Sequence, residues 1–140
     1  DRATPVLVRG DAVWLRRAIA NLIDNALGFA VPSAPGAAPA PSVIVRVLPD
    51  PSLPDEDGEA LIAIDVINRG PGVAPEVRER LFERFVTTRR DTGGSGLGLA
   101  IVAAVAEQHR GSVQLVDPGP PETRFRLCLP RDRAVHEIFP

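Results

Sequence analysis

Apolar residues recur every three to four positions from Asp11 to about Phe29, with Leu15, Ile19, Leu22 and Ala26 at i, i+4, i+7 and i+11. That spacing predicts a helix with one buried face, and Asp11 is a fitting N-cap for it. Ser42 to Leu48 and Ala60 to Ile67 are short, β-branched runs that predict strands, and the proline-rich, acidic stretch between them suits a hairpin-like pairing. Pro75 to Phe85 predicts a short helix opening at a proline. Leu97 to Gln108 is apolar almost all round and predicts a buried helix ended near Gly111. Ser112 to Val116 and Thr123 to Leu129 predict two more strands joined by the turn DPGPPE. Proline-rich Val31 to Ser42 and Asp50 to Gly58 are expected to be loops, because proline removes amide donors and fixes φ. Paired strands with segregated helices indicate an α+β fold, a two-layer sandwich. The expected domain spans residues 1–131, and 132–140 is left as a tail.

A chain of 140 residues is long enough to bury one core without staples. The single Cys128 cannot form an internal disulfide, and two histidines with one cysteine cannot build a four-ligand zinc site. A net charge of −2 offers no broad attraction to nucleic acid or to an anionic membrane, so neither is an expected partner. No apolar run reaches the length of a membrane span, and no secretory leader opens the chain, so a soluble domain is expected. With no methionine anywhere, the chain is read as an excised domain whose partners lie on the rest of a parent protein.

Three segments are more polar or glycine-rich than a core requires. Asn21 and Asn25 stand four apart on one face of the first helix, where an amide carbonyl suits Mg²⁺, although from the helix alone a merely solvated face is the simpler explanation. The segment Asn68-Arg69-Gly70-Pro71-Gly72-Val73 follows a strand. Its glycines permit a ring to approach the backbone and Asn68 can read a base edge, while a plain strand-ending turn has the same composition. The loop Thr92 to Gly98 runs directly into an apolar helix, which aims successive amides and the positive helix end at one spot, as phosphate binding requires. It matches neither the P-loop, whose lysine this chain lacks, nor a dinucleotide fingerprint, which follows a strand.

Taken in order, NLIDNA, NRGPGV, LFERF and GSGLGLAIV resemble the N, G1, F and G2 boxes of the catalytic ATP-binding domain of sensor histidine kinases, in the GHKL superfamily. The resemblance covers about Val6 to Pro130. It implies the Bergerat-type ATP-binding fold, a mixed, mainly antiparallel sheet packed on three helices, with ATP and Mg²⁺ held between the first helix and a lid. It also implies roles by position. Asn25 would be the magnesium ligand and Asn21 a neighbour of the phosphates, the two counted as catalytic. Asn68 would meet the adenine, with Gly70, Gly72 and Val73 shaping that pocket. Phe82 and Phe85 would anchor the base of a lid running from Val86 to Ser95, which carries Arg89, Arg90 and Gly94. Ser95, Gly96, Leu97, Gly98 and Leu99 would bring the helix amides to the phosphates.

Two positions depart from the family pattern. Asn68 stands where the family has an aspartate; its carbonyl can accept from an adenine amino group and its amide can donate to a ring nitrogen, but the charge-assisted bond is lost. Gly28 occupies a spot where many relatives carry a basic residue, a charge that Arg89 and Arg90 are candidates to supply. The nucleophile is missing as well: family kinases phosphorylate a histidine on a separate dimerisation domain. His109 ends a helix, where capping or packing suits it better, and His136 lies in the tail. The implied activity is therefore transfer of the ATP γ-phosphate to a histidine outside this chain, within a two-component phosphorelay that ends on a response regulator. A cytoplasmic, monomeric module of an inner-membrane sensor is expected, without membrane contact of its own. Gyrase-like ATPases carry a carboxylate base four residues before the magnesium ligand, where this chain has Asn21, so hydrolysis is disfavoured. The rival function is a degenerate, non-catalytic domain that binds or regulates a partner, suggested by Asn68 and Gly28.

Overall fold

The computed structural model describes residues 6–38, 40–54, 60–84 and 97–132, apart from the side chains of 49–54. Helix α1 runs Ala12–Phe29 and starts on Asp11, whose carboxylate accepts the N–H groups of Val13 and Trp14 at 3.0 and 3.3 Å. Its fully buried residues are Ala18, Leu22 and Ala26, while Leu15, Ile19 and Ile23 pack against the core from its margins. The buried stripe therefore runs Ala18, Leu22, Ala26, which keeps the expected Leu22 and Ala26 and replaces the expected Ile19 by its neighbour Ala18, a small residue that lets the helix sit close to the layer beneath it.

The strands are β1 Val43–Pro54, β2 Ala60–Arg69, β3 Ser112–Pro118 and β4 Glu122–Pro130, in the order β1-β2-β4-β3. Among the described residues every pairing is antiparallel, in keeping with the mainly antiparallel sheet that the family resemblance implies. β1 departs from expectation: it runs on through Asp50 to Pro54, a stretch read from sequence as loop, and pairs Pro49 with Ile62, Asp50 with Leu61 and, after a register shift, Pro54 with Ala60. An edge position explains this. The missing amide of a proline is harmless where it faces no neighbouring strand.

Helix α2 spans Gly98–Gln108 and buries Val102, Val105 and Ala106, with Ala104 and Glu107 left exposed, so it is half-covered and not enclosed. The αL residue past its end is Arg110 at φ 59, with Gly111 donating its N–H back to Ala106 O at 2.8 Å. Pro75–Arg80 is a 3₁₀ helix. Among the described residues two α-helices and one 3₁₀ helix thus stand where three helices are implied. His109 caps: its Nε2 accepts the Asp11 N–H at 3.0 Å, and its Nδ1 therefore donates to Val105 O at 2.7 Å, tying the end of α2 to the start of α1.

Both helices pack on one face of the sheet, where Ile62, Ile64 and Val66 of β2 meet Phe125, Leu127 and Leu129 of β4, Leu22 and Val102. β2 is also buried on its other face, because successive side chains alternate and Asp65 lies there at 0 % exposure. Arg126, directly opposite on β4, grips Asp65 by Nε to Oδ1 at 2.7 Å and Nη2 to Oδ2 at 2.9 Å, and Arg124 adds Nη1 to Oδ2 at 3.4 Å. The bidentate fork gives both oxygens of this buried carboxylate a hydrogen-bonded counter-charge.

Removing one partner of such a pair leaves the other uncompensated, so Asp65→Ala is expected to lower unfolding free energy by about 3 kcal/mol in urea titrations. Replacing Asp65 and Arg126 together by leucine is expected to cost less than Asp65→Ala alone. A second outcome concerns Cys128, buried on the same face as Asp65: burial pushes its thiol above the ordinary 9.0, against the opposing pull of Arg126. The fold thus favours the neutral thiol, and that contribution is complete below pH 9.0 and lost as the pH rises through the raised folded value. The chain has no tyrosine and no lysine, so Cys128→Ala is expected to flatten the alkaline limb of the stability profile, read by urea titration above about pH 9.

Candidate functional site

One face of α1 carries Asn21, Asn25 and Phe29 at successive steps of four, about 6 Å apart along the axis. At one end of this line the Asn21 amide Nδ2 donates to the Gly98 carbonyl at 3.3 Å, joining α1 to the first residue of α2. At the other end, the Phe29 carbonyl lies against Gly70: a Cβ on Gly70 would come within 2.5 Å of it. Asn25 sits midway, half-buried, and its carboxamide makes no hydrogen bond among the described residues. The interval pattern seen in the sequence therefore becomes a ledge between the start of α2 and the end of β2.

The end of β2 is held by backbone bonds on both sides. Val31 N–H donates to Arg69 O at 2.9 Å, Gly70 N–H to Pro121 O at 3.1 Å and Val73 N–H to Pro118 O at 2.7 Å. Gly72 makes this possible. It has φ +83, and a Cβ there would lie 2.7 Å from the Pro118 carbonyl, so both conformation and space require glycine. Asn68 belongs to the strand and not to a loop after it: it pairs with Val43 on one side and Thr123 on the other. It is two residues beyond Val66, hence on the helix side of the sheet, and only 3 % exposed. Its Nδ2 is fully buried and has no hydrogen-bond partner among the described residues. Burying an amide without a partner costs about 1–3 kcal/mol, so a donor unpartnered among the described residues is a costly feature of this position.

At the third segment, α2 begins after Leu97, which offers no side-chain cap to the first-turn amides. A Cβ on Gly98 would meet nothing within 4 Å, so close packing among the described residues does not account for this glycine. Leu99 packs on the core, as does Val73. Phe82 stands edge-on to Phe125, with ring centroids 6.1 Å apart and planes at 88°, and so fixes the chain after the 3₁₀ turn to the sheet. Phe85, Arg89, Arg90, Gly94, Ser95 and Gly96, with the rest of the expected lid and His136, lie outside the described residues. Asp65 with Arg124 and Arg126 went unnoticed in the sequence. The alternation of arginine with Phe125 and Leu127 along β4, opposite a lone acid in an apolar strand, is the signal that carries it.

Residues 10–133 match the family described as histidine kinase-, DNA gyrase B- and HSP90-like ATPase. The sensor-like histidine kinase SenX3 of Mycobacterium tuberculosis is 37% identical over 134 residues, covering 93% of this chain and 29% of SenX3. The histidine-protein kinase/phosphatase MprB of Mycolicibacterium vanbaalenii is 40% identical over 140 residues, covering 91% of this chain and 25% of MprB. The chain therefore spans less than a third of these relatives. Among solved structures, a mycobacterial sensor histidine kinase MprB superposes with a TM-score of 0.67 at 37% identity, covering 91% of this chain and 79% of that one. Full-length ShkA in complex with AMPPNP gives 0.67 at 28% identity, covering 91% and 23%. With a fold, a set of boxes and an extent of similarity that agree, the chain belongs to the histidine kinase-, DNA gyrase B- and HSP90-like ATPases and is a catalytic ATP-binding domain of the sensor histidine kinase type.

Proposed function

We propose that this domain holds Mg-ATP along the α1 ledge, base toward Asn68 and phosphates toward the start of α2, and donates the γ-phosphate to a histidine on the dimerisation domain of a parent kinase. The parent then passes the phosphoryl group to a response regulator. The buried Asn68 amide, unpartnered among the described residues, carries this reading, because a donor left so is one that an incoming base would satisfy. The AMPPNP complex of ShkA, a structural relative, supports it. The parent is a membrane-bound sensor with this domain on its cytoplasmic side, and the domain has no direct partner in nucleic acid or lipid. Among the described residues no helix is long and apolar enough to cross a membrane.

Phosphoryl transfer asks a protein for alignment and charge neutralisation more than covalent help. Asn25 offers an oxygen donor without a competing hydrogen bond among the described residues, and its hard carbonyl oxygen fits Mg²⁺, which would supply charge neutralisation at the phosphates. The first-turn amides of α2 and the space beside Gly98 face the same end of the ledge as Asn21. Asn21 holds α2 in place through its amide donor and has no proton-accepting group at neutral pH, so it positions and does not activate water. Phosphate therefore leaves only to an acceptor brought by the dimerisation domain. Arg89 and Arg90 supply the cationic charge that Gly28 lacks.

Calorimetric titration of this chain with Mg-ATP tests the proposal: saturable binding is expected, and none up to millimolar nucleotide would overturn it. Asn25→Ala is expected to weaken Mg-ATP binding at least about tenfold while leaving the thermal midpoint within a few degrees. Gly72→Ala, which forces a Cβ toward Pro118 O at positive φ, is expected to cost about 1–2 kcal/mol of stability and to weaken nucleotide binding along with it, read by thermal melts with and without ATP.

A further inference from the structure

We infer that Asn68 lets the base pocket accept 6-oxopurine nucleotides alongside adenine ones, making it the residue that sets base specificity in this domain. The inference rests on the nucleotide site proposed above and adds the chemistry of the base. Asn68 lies on β2, an inner strand of the four, paired in register to Val43 on β1 and Thr123 on β4, so its backbone cannot withdraw. The side chain is 97 % buried by its 3 % exposure, and its Nδ2 donor is unpartnered among the described residues. That nitrogen lies 3.2 Å from where a Gly70 Cβ would be, so a side chain at that position would crowd the amide and glycine does not. What remains free is the terminal torsion of the carboxamide, which is broad and two-fold for asparagine.

A half-turn about that torsion exchanges donor and acceptor. Adenine presents an amino donor at its six-position and an acceptor at N1; a 6-oxopurine presents an acceptor oxygen and an N1–H donor. A carboxamide complements either edge, one in each orientation. A carboxylate, which only accepts, complements adenine and meets the six-oxygen of the other base with like polarity. The Nδ2 donor can thus meet adenine N1 in one orientation and a six-position carbonyl in the other, and a carboxylate can do neither.

Competition calorimetry on this chain, using the magnesium complexes of ATP and ITP, decides the matter, since these nucleotides differ only at the purine six-position. Native chain is expected to bind ITP within about fivefold of ATP, and Asn68→Asp to tighten ATP and weaken ITP so that their ratio moves by at least about tenfold toward ATP. ATP binding with ITP weaker by about a hundredfold or more in the native chain, or a ratio unmoved by Asn68→Asp, would overturn the inference while leaving the nucleotide site intact. Failure of both nucleotides to bind native chain and Asn68→Asp alike would overturn the site itself. Circular dichroism checks that Asn68→Asp is folded; where it is not, the native ATP-to-ITP ratio alone decides.

Discussion

Val31 to Arg69, Gly70 to Pro121 and Val73 to Pro118 are backbone hydrogen bonds, and the position of Asn68 depends on all three. They join the end of β2 to the segment leaving α1 on one side and to the β3–β4 turn on the other. A polar side chain at the end of a lone strand would swing to water and satisfy itself. Here the backbone on either side of it is pinned, and Gly70 and Gly72 let the neighbouring carbonyls of Phe29 and Pro118 close in without a Cβ between them. The site is thus fixed by main-chain geometry first and side-chain chemistry second, which is how a fold keeps a costly buried donor in place.

The other end of the ledge is tied differently. Between α1 and α2 the apolar contacts of Leu22, Ala26, Val102 and Val105 supply the bulk of the attraction, but such contacts are not directional. Direction comes from two polar ties at opposite ends of α2: Asn21 to Gly98 O at its start and His109 to the Asp11 N–H at its end. Together they set the helix along its axis relative to α1, and hence set its uncapped first turn relative to Asn25. Phe82 against Phe125 anchors the next segment before the chain leaves the described residues.

Periodicity found the elements whose physics is local. The i, i+4 run around Leu22, the β-branched strands and the turn DPGPPE all stand where the pattern puts them, and the four boxes named the family before any coordinates did. What escaped was set by neighbours. The sequence could not tell that β1 is an edge, so its prolines looked like a loop; nor that Asn68 falls inside β2, since the ladder to Thr123 is a long-range fact. Asp65 was illegible for the same reason: a single acid in IAIDVIN is meaningless until Arg126 is seen to lie opposite. The anchoring of Gly70 by Phe29 and of Gly72 by Pro118 likewise joins residues far apart in the chain.

β2 buries two polar side chains three residues apart, and because strand residues alternate they face opposite sides. Asp65 is charged and tolerable because two arginines meet it; Asn68 is unmet by any described residue and tolerable because it carries no charge. Exchange the two requirements and the fold suffers: a carboxylate at Asn68 would be left without a counter-ion until ligand arrived, and ions without partners are far costlier to bury than amides. In the proposed nucleotide site, a neutral amide at the end of β2 makes a weaker bond to the base than a carboxylate would, and costs less to bury while the site is empty, so affinity there is exchanged against the stability of the empty domain.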